Sequence, residues 1–189
     1  MNNVTGIILC GGKSRRFKSP KYQAKINEKT LLEIAIETLQ GLCDELIVVS
    51  KEKLDIQAKN IIEKDSDYHP LIGITEGLKA SSNDANLVVA CDMPFVSKKV
   101  LAPLLKSKAD ISIYRYKGKA EPLLGMYRKS CLQNIADFKD KRIIDIIEEC
   151  DYQYIDEEND NLAFMNINTK EDLDEARKIA GDNPEILSN

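Results

Sequence analysis

The first 21 residues constrain the fold more than any other stretch of the chain. An apolar run, residues 4–9, ends at Cys10 and is followed by two glycines, Gly11 and Gly12. Glycine lets the main chain turn sharply and approach a ligand closely, so that its N–H groups can point at anionic oxygens. The loop that follows carries five cations and no acidic residue: Lys13, Arg15, Arg16, Lys18 and Lys21. Because cationic side chains supply countercharge to phosphate, we predict a buried strand that leads into a phosphate-binding loop.

The segment Gly12-Lys13-Ser14 ends like a P-loop, so the spacing of the glycines has to be checked. A P-loop needs another glycine five residues before the glycine that precedes lysine, and that position is Ile7. Taking Gly6 and Gly11 as the pair puts Gly12 where the lysine is required. A Gly-x-Gly-x-x-Gly dinucleotide fingerprint is also missing from this loop. The sequence therefore predicts a phosphate loop of another kind.

Length and composition indicate one soluble domain. A chain of 189 residues is long enough to bury a substantial core, and we predict a single domain over residues 1–189 with a flexible tail at 182–189. The hydrophobic fraction is 43%, but no apolar run approaches the length of about 18 residues that a membrane-spanning helix needs. No charged and apolar leader precedes the first strand. We therefore expect a cytoplasmic protein without a membrane partner.

Charge and cysteine usage exclude further classes. The chain has 27 Lys and Arg against 31 Asp and Glu, a net charge of −4, so we expect no nucleic acid partner. The cysteines are five in number, widely spaced and without a Cys-x-x-Cys pair, which favours reduced thiols. His69 is the only histidine, so we do not expect a zinc site of Cys and His ligands.

Apolar patterning predicts strands and helices that alternate along the chain. The predicted strands after the first cover residues 45–50, 60–63, 86–91, 109–116, 122–127, 152–155 and 162–165. The predicted helices cover residues 29–42, 69–81, 97–106, 129–138, 142–149 and 170–180, with Thr30 as a cap of the first helix and Gly181 closing the last. Residues 109–116 alternate like an exposed or edge strand and form a hairpin with residues 122–127. The fold class is therefore α/β: a three-layer sandwich whose mostly parallel, Rossmann-like sheet contains a small antiparallel insertion near residues 110–127.

Polar residues and glycines follow several of the predicted strands. Ligands of such sheets bind beyond the carboxyl ends of the strands, and these ends hold Gly11 with Gly12, Ser50, Asp65 and Asp92. Asp92 directly follows the central strand, where a lone carboxylate suits Mg²⁺ bound together with phosphate oxygens. The alternative is that Asp92 caps the next turn, and Asp65 read alone is a turn residue. The convergence at one edge predicts a nucleotide site.

A longer signature is visible around the glycines. The pattern Leu-x-Gly-Gly-x-Ser-x-Arg, followed a few residues later by lysine, opens many nucleotidyltransferases, and it is present here as residues 9–16 with Lys21. Further matching pieces follow in order: Lys29-Thr30-Leu31-Leu32-Glu33, Asp65, Pro70-Leu71-Ile72-Gly73-Ile74, Cys91-Asp92-Met93-Pro94, Glu121-Pro122-Leu123 and Asn166-Ile167-Asn168-Thr169. With these pieces in this order, the chain resembles the molybdenum cofactor guanylyltransferase family of nucleotidyltransferases.

The resemblance implies a cytoplasmic, magnesium-dependent enzyme. Such an enzyme transfers GMP from GTP to a molybdopterin-type cofactor and releases pyrophosphate. It implies a monomer that serves other molybdenum cofactor biosynthesis proteins and recipient molybdoenzymes. The implied catalytic residues are Arg16, Lys21 and Asp92, with Asp92 as the metal ligand. The residues implied to bind the nucleotide are Leu9, Cys10, Gly11, Gly12, Lys21, Ser50, Asp65 and Asp92.

Three residues are assigned to the pterin side. Glu121 shapes that side in the family pattern, and Asn166 and Asn168 alternate on a predicted strand, so they would share a face. The alternative for the two asparagines is that they end the strand and cap the last helix. His69 is interpreted as a turn residue, since the family pattern favours glycine there.

The loop departs from the family pattern at two positions. Lys18 stands where the family has glycine, which removes conformational freedom, and Pro20 replaces an acidic residue and fixes φ. Two alternatives therefore stay open. One is a related nucleotidyltransferase that uses CTP or acts on a sugar or alcohol phosphate; the other is a non-catalytic nucleotide-binding homologue. The choice of base does not follow from these residues.

Overall fold

The computed structural model of the protein describes residues 3–11, 17, 20–64, 69–136 and 141–187, and a seven-stranded sheet organises these ranges. The strands are β1 (Val4–Leu9), β2 (Lys25–Ile26), β3 (Lys29–Thr30), β4 (Glu45–Ser50), β5 (Lys59–Ile62), β6 (Ala85–Ala90), β7 (Ile111–Tyr116), β8 (Lys119–Arg128) and β9 (Tyr152–Glu157). The α-helices are α1 (Leu31–Leu39), α2 (Pro70–Ala80), α3 (Lys98–Lys106), α4 (Leu132–Ala136), α5 (Ile143–Glu148) and α6 (Lys170–Asp182). None of the helices described is long and apolar enough to cross a membrane.

The large sheet is mostly parallel, as the sequence predicts. Its strand order is β5-β4-β1-β6-β8-β7-β9, and β2 and β3 form a separate two-stranded sheet. β4, β1 and β6 run parallel to each other, whereas β8 is antiparallel to both β6 and β7. β7 and β8 form the predicted hairpin, whose turn residues Lys117 and Gly118 both have positive φ, as a tight two-residue turn requires. The antiparallel insertion is confirmed.

The prediction that residues 109–116 form an exposed or edge strand is wrong. β7 lies between β8 and β9, and its first four residues are buried. The alternation of polar and apolar residues in this strand indicated an exposed face, but its polar side chains form hydrogen bonds inside the protein. Ser112 lies within hydrogen-bonding distance of Ser107, and the hydroxyl of Tyr114 donates to the carbonyl of Val100 at 2.7 Å. Buried polar groups that are paired in this way do not need solvent.

The sheet separates two apolar cores, which gives the predicted three layers. One core joins the sheet to α1 and α3 through residues such as Leu32 and Leu101. The other joins the opposite face to α2, α4 and α5 through residues such as Leu71, Ile135 and Ile146. A third cluster packs α6 against α1 and β2, and it includes Phe17, Ile26, Leu31, Phe95, Ile167 and Leu173. Side chains of both faces of the sheet are thus covered, as a parallel sheet requires.

Helix ends follow capping chemistry with two differences from the prediction. Thr30 caps α1 and forms a reciprocal capping box with Glu33, as predicted, but α1 ends at Leu39 rather than 42. The last helix does not end at Gly181; α6 continues to Asp182, and Gly181 has no positive φ. A short 3₁₀ helix, Pro184–Leu187, then packs its last two residues on the third cluster, so the predicted tail is structured as far as residue 187.

The predicted strand at 162–165 is also wrong. Residues Leu162–Phe164 form a 3₁₀ turn, and the side-chain oxygen of Asn161 accepts a hydrogen bond from the N–H of Ala163 at 3.0 Å. An asparagine that satisfies backbone donors in this way favours a turn over a strand. The segment that follows, residues 165–168, runs in irregular conformation to α6.

Candidate nucleotide-binding site

A pocket opens at the carboxyl ends of β1, β4 and β6. The described residues that line it are Leu9, Gly11, Lys21, Val49, Lys51, Glu63, His69, Pro70, Gly73, Asp92 and Leu123. Asp92 and Gly11 therefore meet in one pocket, although 80 positions separate them in the sequence. This is the edge of the sheet at which the sequence predicts a ligand.

Main-chain hydrogen bonds between neighbouring strands continue past the strand ends. They align the residues that follow β1, β4 and β6. The N–H of Cys10 donates to the carbonyl of Val49 at 2.8 Å, and the N–H of Cys91 donates to the carbonyl of Leu9 at 3.1 Å. The N–H of Glu63 donates in the same way to the carbonyl of Ser50 at 2.8 Å. These bonds hold Cys10, Ser50 and Cys91 in position. The next residues along the chain, Gly11, Lys51 and Asp92, therefore lie side by side at the edge of the sheet.

The first turn of α2 forms another wall of the pocket. His69 is the N-cap of α2, and its Nδ1 accepts a hydrogen bond from the N–H of Leu71 at 3.3 Å. Pro70 occupies the first helical position, where a missing N–H has no cost. A helix N-terminus favours negative charge, so α2 adds to the attraction for a phosphate or carboxylate. The interpretation of His69 as a turn residue agrees with this capping role.

Lys21 connects three segments that are distant in sequence. Its Nζ donates to Oδ2 of Asp92 at 2.6 Å, to the carbonyl of Ile167 at 3.1 Å and to Oδ1 of Asn168 at 3.1 Å. The N–H of Ile167 donates to the carbonyl of Asp92 at 2.8 Å. The side chains of Lys21 and Asp92 are 17% and 20% exposed, so the ion pair is sheltered but remains open to a ligand.

Asn168 is held in place by the cap of α6. The carboxylate of Asp172 accepts hydrogen bonds from the N–H of Asn168 at 2.8 Å and of Thr169 at 2.7 Å. Burial acts to raise the pKa of Asp172, but these hydrogen bonds to the charged form hold that pKa below its usual value. Asn166, by contrast, donates to the carbonyl of Phe164 at 3.2 Å and lines a separate depression beside Tyr116. The two asparagines do not share a face, because the segment between them is not a strand.

A bulge in β8 brings a further side chain to the pocket. The register of β7 and β8 jumps from Ile113 opposite Gly125 to Tyr114 opposite Glu121, so residues 122–124 have no partner on β7. The hydroxyl of Tyr127 donates to the carbonyl of Pro122 at 2.7 Å and fixes the bulge.

Leu123, at the centre of this bulge, lines the pocket, but Glu121 does not. Burial raises the pKa of Glu121, and Lys119, with its Nζ 3.8 Å from the carboxylate, only partly opposes that shift. Glu121 therefore lies outside the pocket lining and holds its carboxyl in a partly apolar setting.

Two of the residues predicted to bind nucleotide serve the sheet itself. Ser50 is fully buried, donates its hydroxyl hydrogen to the carbonyl of Glu52 and accepts from Nδ2 of Asn60 at 2.8 Å. Its side chain therefore faces the interior, while its neighbours Val49 and Lys51 line the pocket. The N–H of Cys10 is used in the ladder, so its main-chain donor is not available to a ligand. Gly12, Arg16 and Asp65 lie outside the described residues.

Sequence reasoning missed a buried ion pair in the pocket. Nζ of Lys51 lies 2.5 Å from Oε1 of Glu63, and Glu63 is only 7% exposed. Both residues come directly after a strand, Lys51 after β4 and Glu63 after β5. The positional rule that selected Asp92 could have found Lys51, had it been applied to every strand end, but it would have missed Glu63, because the predicted strand 60–63 includes that residue.

Asp92 is suited to Mg²⁺ bound together with a nucleotide. In the part of the chain that the structure describes, no group of three or more His, Cys, Asp or Glu side chains could hold a metal by itself. Mg²⁺ commonly takes one or two carboxylates and completes its octahedron with substrate phosphates and water. A lone, partly exposed carboxylate at the end of a central strand fits that requirement.

Comparison with known proteins gives consistent matches over nearly the whole chain. Residues 6–154 match the sequence model of the MobA-like NTP transferase domain. A probable molybdenum cofactor guanylyltransferase of Geobacillus sp. (strain WCH70) is 33% identical, over 93% of this chain and 98% of the relative. A protein with the same name from Natranaerobius thermophilus is 34% identical, over 95% of this chain and 98% of the relative. The structure also superimposes on the crystal structure of molybdopterin-guanine dinucleotide biosynthesis protein A from Archaeoglobus fulgidus, with a TM-score of 0.80 and 24% identity, covering 94% of this chain and 99% of that chain.

Proposed function

Because the chain belongs to the MobA-like NTP transferase family, we propose that it transfers GMP from GTP to a molybdopterin-type cofactor and releases pyrophosphate. Relatives named as probable molybdenum cofactor guanylyltransferases match 93% and 95% of the chain. The observation that carries the proposal is the meeting of Asp92, Lys21 and Gly11 in one pocket. Nucleotidyl transfer needs a metal ligand and a cation, which Asp92 and Lys21 would supply, and a glycine such as Gly11 lets the main chain approach phosphate closely.

The reaction is the attack of a phosphate oxygen of the pterin on the α-phosphorus of GTP. A new P–O bond forms, the bond between the α-phosphorus and the bridging oxygen breaks, and that oxygen leaves with pyrophosphate. Catalysis of such transfers is mostly positioning and electrostatic stabilisation, without a protein nucleophile. Asp92 would hold Mg²⁺, which neutralises charge on the phosphate oxygens when bound.

Lys21 is the residue that brings positive charge to the reacting phosphates. Its ammonium already lies at the pocket, held by Asp92, Ile167 and Asn168. An ammonium is a compact cation with three rotatable donors, so it can contact phosphate without large movement of the loop. Arg16 adds a second cation in this proposal, and Gly12 and Asp65 complete the nucleotide contacts.

The pterin substrate is proposed to enter beside Asn168. Asn168 contacts Lys21 directly, so in this proposal its amide would lie next to the reacting phosphates. The bulge after Glu121 forms the neighbouring wall through Leu123. Asn166 lies further out along the same segment and would contact only a distant part of the substrate. The proposed enzyme is a cytoplasmic monomer that works with other molybdenum cofactor biosynthesis proteins and supplies recipient molybdoenzymes.

The test is an assay of the purified protein with GTP, Mg²⁺ and molybdenum cofactor. We expect formation of the guanine dinucleotide form together with one pyrophosphate per cofactor. Asp92→Asn keeps the size of the side chain but removes its charge, and we expect a turnover loss of about 100-fold to 1,000-fold, as when one preorganised electrostatic group is removed. Chelation of the metal should have a comparable effect on the wild type.

Two results would contradict the proposal. A wild-type protein that releases pyrophosphate from CTP but not from GTP has a different substrate. An Asp92→Asn variant with unchanged turnover removes Asp92 from the mechanism. Asp84→Asn is the matched control, because Asp84 is 62% exposed and pairs with Arg128 at the opposite end of β6; we expect it to turn over at the wild-type rate.

A further inference from the structure

Cys10 and Cys91 follow neighbouring strands of the sheet and lie side by side. Cys10 comes directly after β1, and Cys91 comes directly after β6. These strands are parallel, with Leu9 opposite Ala90, and the N–H of Cys91 donates to the carbonyl of Leu9 at 3.1 Å. The register therefore places the two cysteines opposite each other. Both side chains belong to the core that joins the sheet to α1 and α3, so they point to the same face of the sheet.

The two thiols are close enough to react with each other. They form a hydrogen bond, and both are free thiols. Neighbouring strands run about 4.8 Å apart, which lies within the range of Cα distances that disulfides span, about 4.4–6.8 Å. Both cysteines lie just beyond the ends of their strands, so the main chain can make the small adjustment that an S–S bond needs. The geometry of this pair is therefore compatible with a disulfide.

The other three thiols are placed differently. Sγ of Cys131 donates to the carbonyl of Arg128 at 2.8 Å, and Sγ of Cys150 donates to the carbonyl of Ile146 at 3.6 Å. Both of these thiols are thus directed at main-chain carbonyls of their own segments. Cys43 precedes β4 and lies at the end of the sheet opposite to the pocket.

We propose that Cys10 and Cys91 are a site of reversible oxidation, at which a peroxide forms a disulfide that disturbs the nucleotide pocket. The part of this inference that concerns the pocket rests on the proposed function. Cys10 is partly exposed, whereas Cys91 is only 6% exposed, so the peroxide meets Cys10 first. Cys91 lies beside it as the thiol that completes the disulfide, which is an arrangement typical of oxidation-sensitive cysteines.

The chemistry proceeds in two steps. Hydrogen peroxide transfers one oxygen to the sulfur of Cys10, which becomes a sulfenic acid, and the other oxygen leaves as water. The sulfur of Cys91 then attacks the sulfenic sulfur, the S–S bond forms, and the hydroxyl group leaves with the thiol proton of Cys91 as a second water. The two thiols together lose two electrons to the peroxide. A dithiol reductant returns both cysteines to thiols by thiol–disulfide exchange.

The disulfide acts on the pocket through the next residues along the chain. Gly11 follows Cys10 and Asp92 follows Cys91, and both Gly11 and Asp92 line the pocket. Drawing the two cysteines together therefore shifts a glycine proposed to approach phosphate and a carboxylate proposed to bind the metal. A displacement of about 1 Å in a site can cost about 100-fold in rate. We expect the oxidised protein to lose turnover by about tenfold or more.

The experiment treats the full chain with hydrogen peroxide, blocks the remaining thiols with iodoacetamide and analyses the unreduced peptides by mass spectrometry. We expect a pair of peptides linked through Cys10 and Cys91, and no pair linked through Cys131 and Cys150. Pyrophosphate release from GTP is measured before oxidation, after oxidation and after treatment with dithiothreitol. Turnover should fall on oxidation and return on reduction.

Two variants test the role of the second thiol, each compared with its own reduced state. In Cys91→Ser, a sulfenic acid at Cys10 has no neighbouring thiol and is oxidised further to a sulfinic acid, which dithiothreitol does not reduce. We therefore expect neither the linked peptides nor the recovery of turnover. Cys43→Ser is the matched control, because Cys43 packs on the same core but lies at the opposite end of the sheet; it should behave like the wild type. Thermal melting confirms that both variants are folded.

The outcomes separate this inference from the function on which it rests. Linked peptides with loss and recovery of turnover, absent in Cys91→Ser and retained in Cys43→Ser, support the inference. Oxidation of Cys10 without linked peptides overturns it and leaves the transferase function intact. Linked peptides with unchanged turnover overturn the effect on the pocket. A reduced protein that forms no product from GTP overturns the proposed function, and linked peptides in that protein support the oxidation site alone.

Discussion

At the scale of single residues, the site is built around a cation that stands where a metal is proposed to bind. Nζ of Lys21 lies 2.6 Å from Oδ2 of Asp92. The carboxylate at the end of a buried strand thus has a counterion before any ligand enters. Arrival of a metal with the nucleotide would release the ammonium towards the phosphates. In this proposal Lys21 therefore pairs first with Asp92 and then, once the metal and nucleotide have bound, with the phosphates. It cannot make both contacts at once.

This competition predicts the behaviour of Lys21→Met. Without the ammonium, Asp92 should bind Mg²⁺ in the absence of nucleotide about fivefold more tightly, the equivalent of about 1 kcal/mol of charge interaction. The same variant should lose turnover with GTP, because the phosphates lose a cation. Titration of Mg²⁺ into the nucleotide-free protein and a pyrophosphate assay give the two values.

Lys29→Met serves as the comparison for Lys21→Met, since Lys29 pairs with Glu37 on the surface at 2.6 Å. It should change neither metal affinity nor turnover. An unchanged Mg²⁺ affinity in Lys21→Met would show that the metal and the ammonium do not share the carboxylate.

The sequence revealed some site residues because their position alone is informative. Asp92 follows an apolar strand and precedes Met93-Pro94, so its place at a strand end is predictable from local pattern. The pairing of Lys51 with Glu63 depends on the register of β4 against β5, which no local pattern fixes. The inward direction of Ser50 depends in the same way on its contact with Asn60.

At the scale of elements, α2 is the helix that most directly shapes the pocket. Its first turn supplies Pro70 and Gly73 to the wall, and its position against the sheet depends on Gly77. A Cβ added to Gly77 would lie 2.6 Å from Cγ2 of Ile7, a side chain that is completely buried in β1. Close approach of α2 to β1 therefore requires glycine here.

We expect Gly77→Ala to destabilise the protein by up to about 2 kcal/mol. The overpacking against Ile7 costs about 1–3 kcal/mol, and the higher helix propensity of alanine, which is worth about 1 kcal/mol, offsets it only partly. Gly181→Ala is the matched variant in α6, where an added Cβ meets nothing within 4 Å. There the propensity acts alone, and we expect a gain of about 0.5–1 kcal/mol. Urea unfolding of both variants measures the difference, and shifts of the same sign would contradict this account of α2 packing.

Elements with local signals were predictable from the sequence, and elements with tertiary partners were not. Thr30 and Glu33 form the capping box of α1 from residues three apart, so pattern alone is sufficient. β7 is an interior strand because β9 pairs with it, with Tyr152 of β9 opposite Ile111 of β7. No local pattern predicts this pairing of distant segments. In the turn at 162–164 the N–H of Ala163 donates a hydrogen bond to the side-chain oxygen of Asn161, an interaction that periodicity does not detect.

At the scale of the whole molecule, the third apolar cluster ties the end of the chain to the site. Ile167 is completely buried in this cluster together with Leu173 of α6 and Phe95, which follows Asp92 closely in sequence. Its carbonyl accepts from Lys21, and its N–H donates to Asp92. Packing of α6 therefore helps to position the main chain of Asp92 and the ammonium of Lys21. The family motifs predicted that the segments around Lys21, Asp92 and Asn168 serve one site. Only the folded chain shows which of these residues are in contact.

The five cysteines differ in burial, so their reactivity towards a thiol reagent can show whether a ligand covers the pocket. Cys10 is partly exposed between Leu9 and Gly11, both of which line the pocket. Cys91 and Cys131 are buried. Burial also raises the pKa of Cys43 to about 12 and raises that of Cys150. A thiol reagent at pH 8 should therefore modify Cys10 first in the native protein, since the thiolate is the reactive form.

Binding of GTP with Mg²⁺ should slow the modification of Cys10 by about tenfold or more, because nucleotide at ten times its dissociation constant leaves only about a tenth of the protein open. Cys150 is the internal reference. It precedes β9 at the end of the sheet where β6 begins, opposite to the pocket, so its rate should not change. Alkylation with iodoacetamide, followed by peptide mass spectrometry, gives both rates from one sample. Equal rates for Cys10 with and without GTP would mean that the nucleotide does not cover the main chain at Cys10 and Gly11. Equal slowing at Cys10 and Cys150 would instead indicate that GTP suppresses global opening of the fold, since a local shield at the pocket cannot protect a distant thiol.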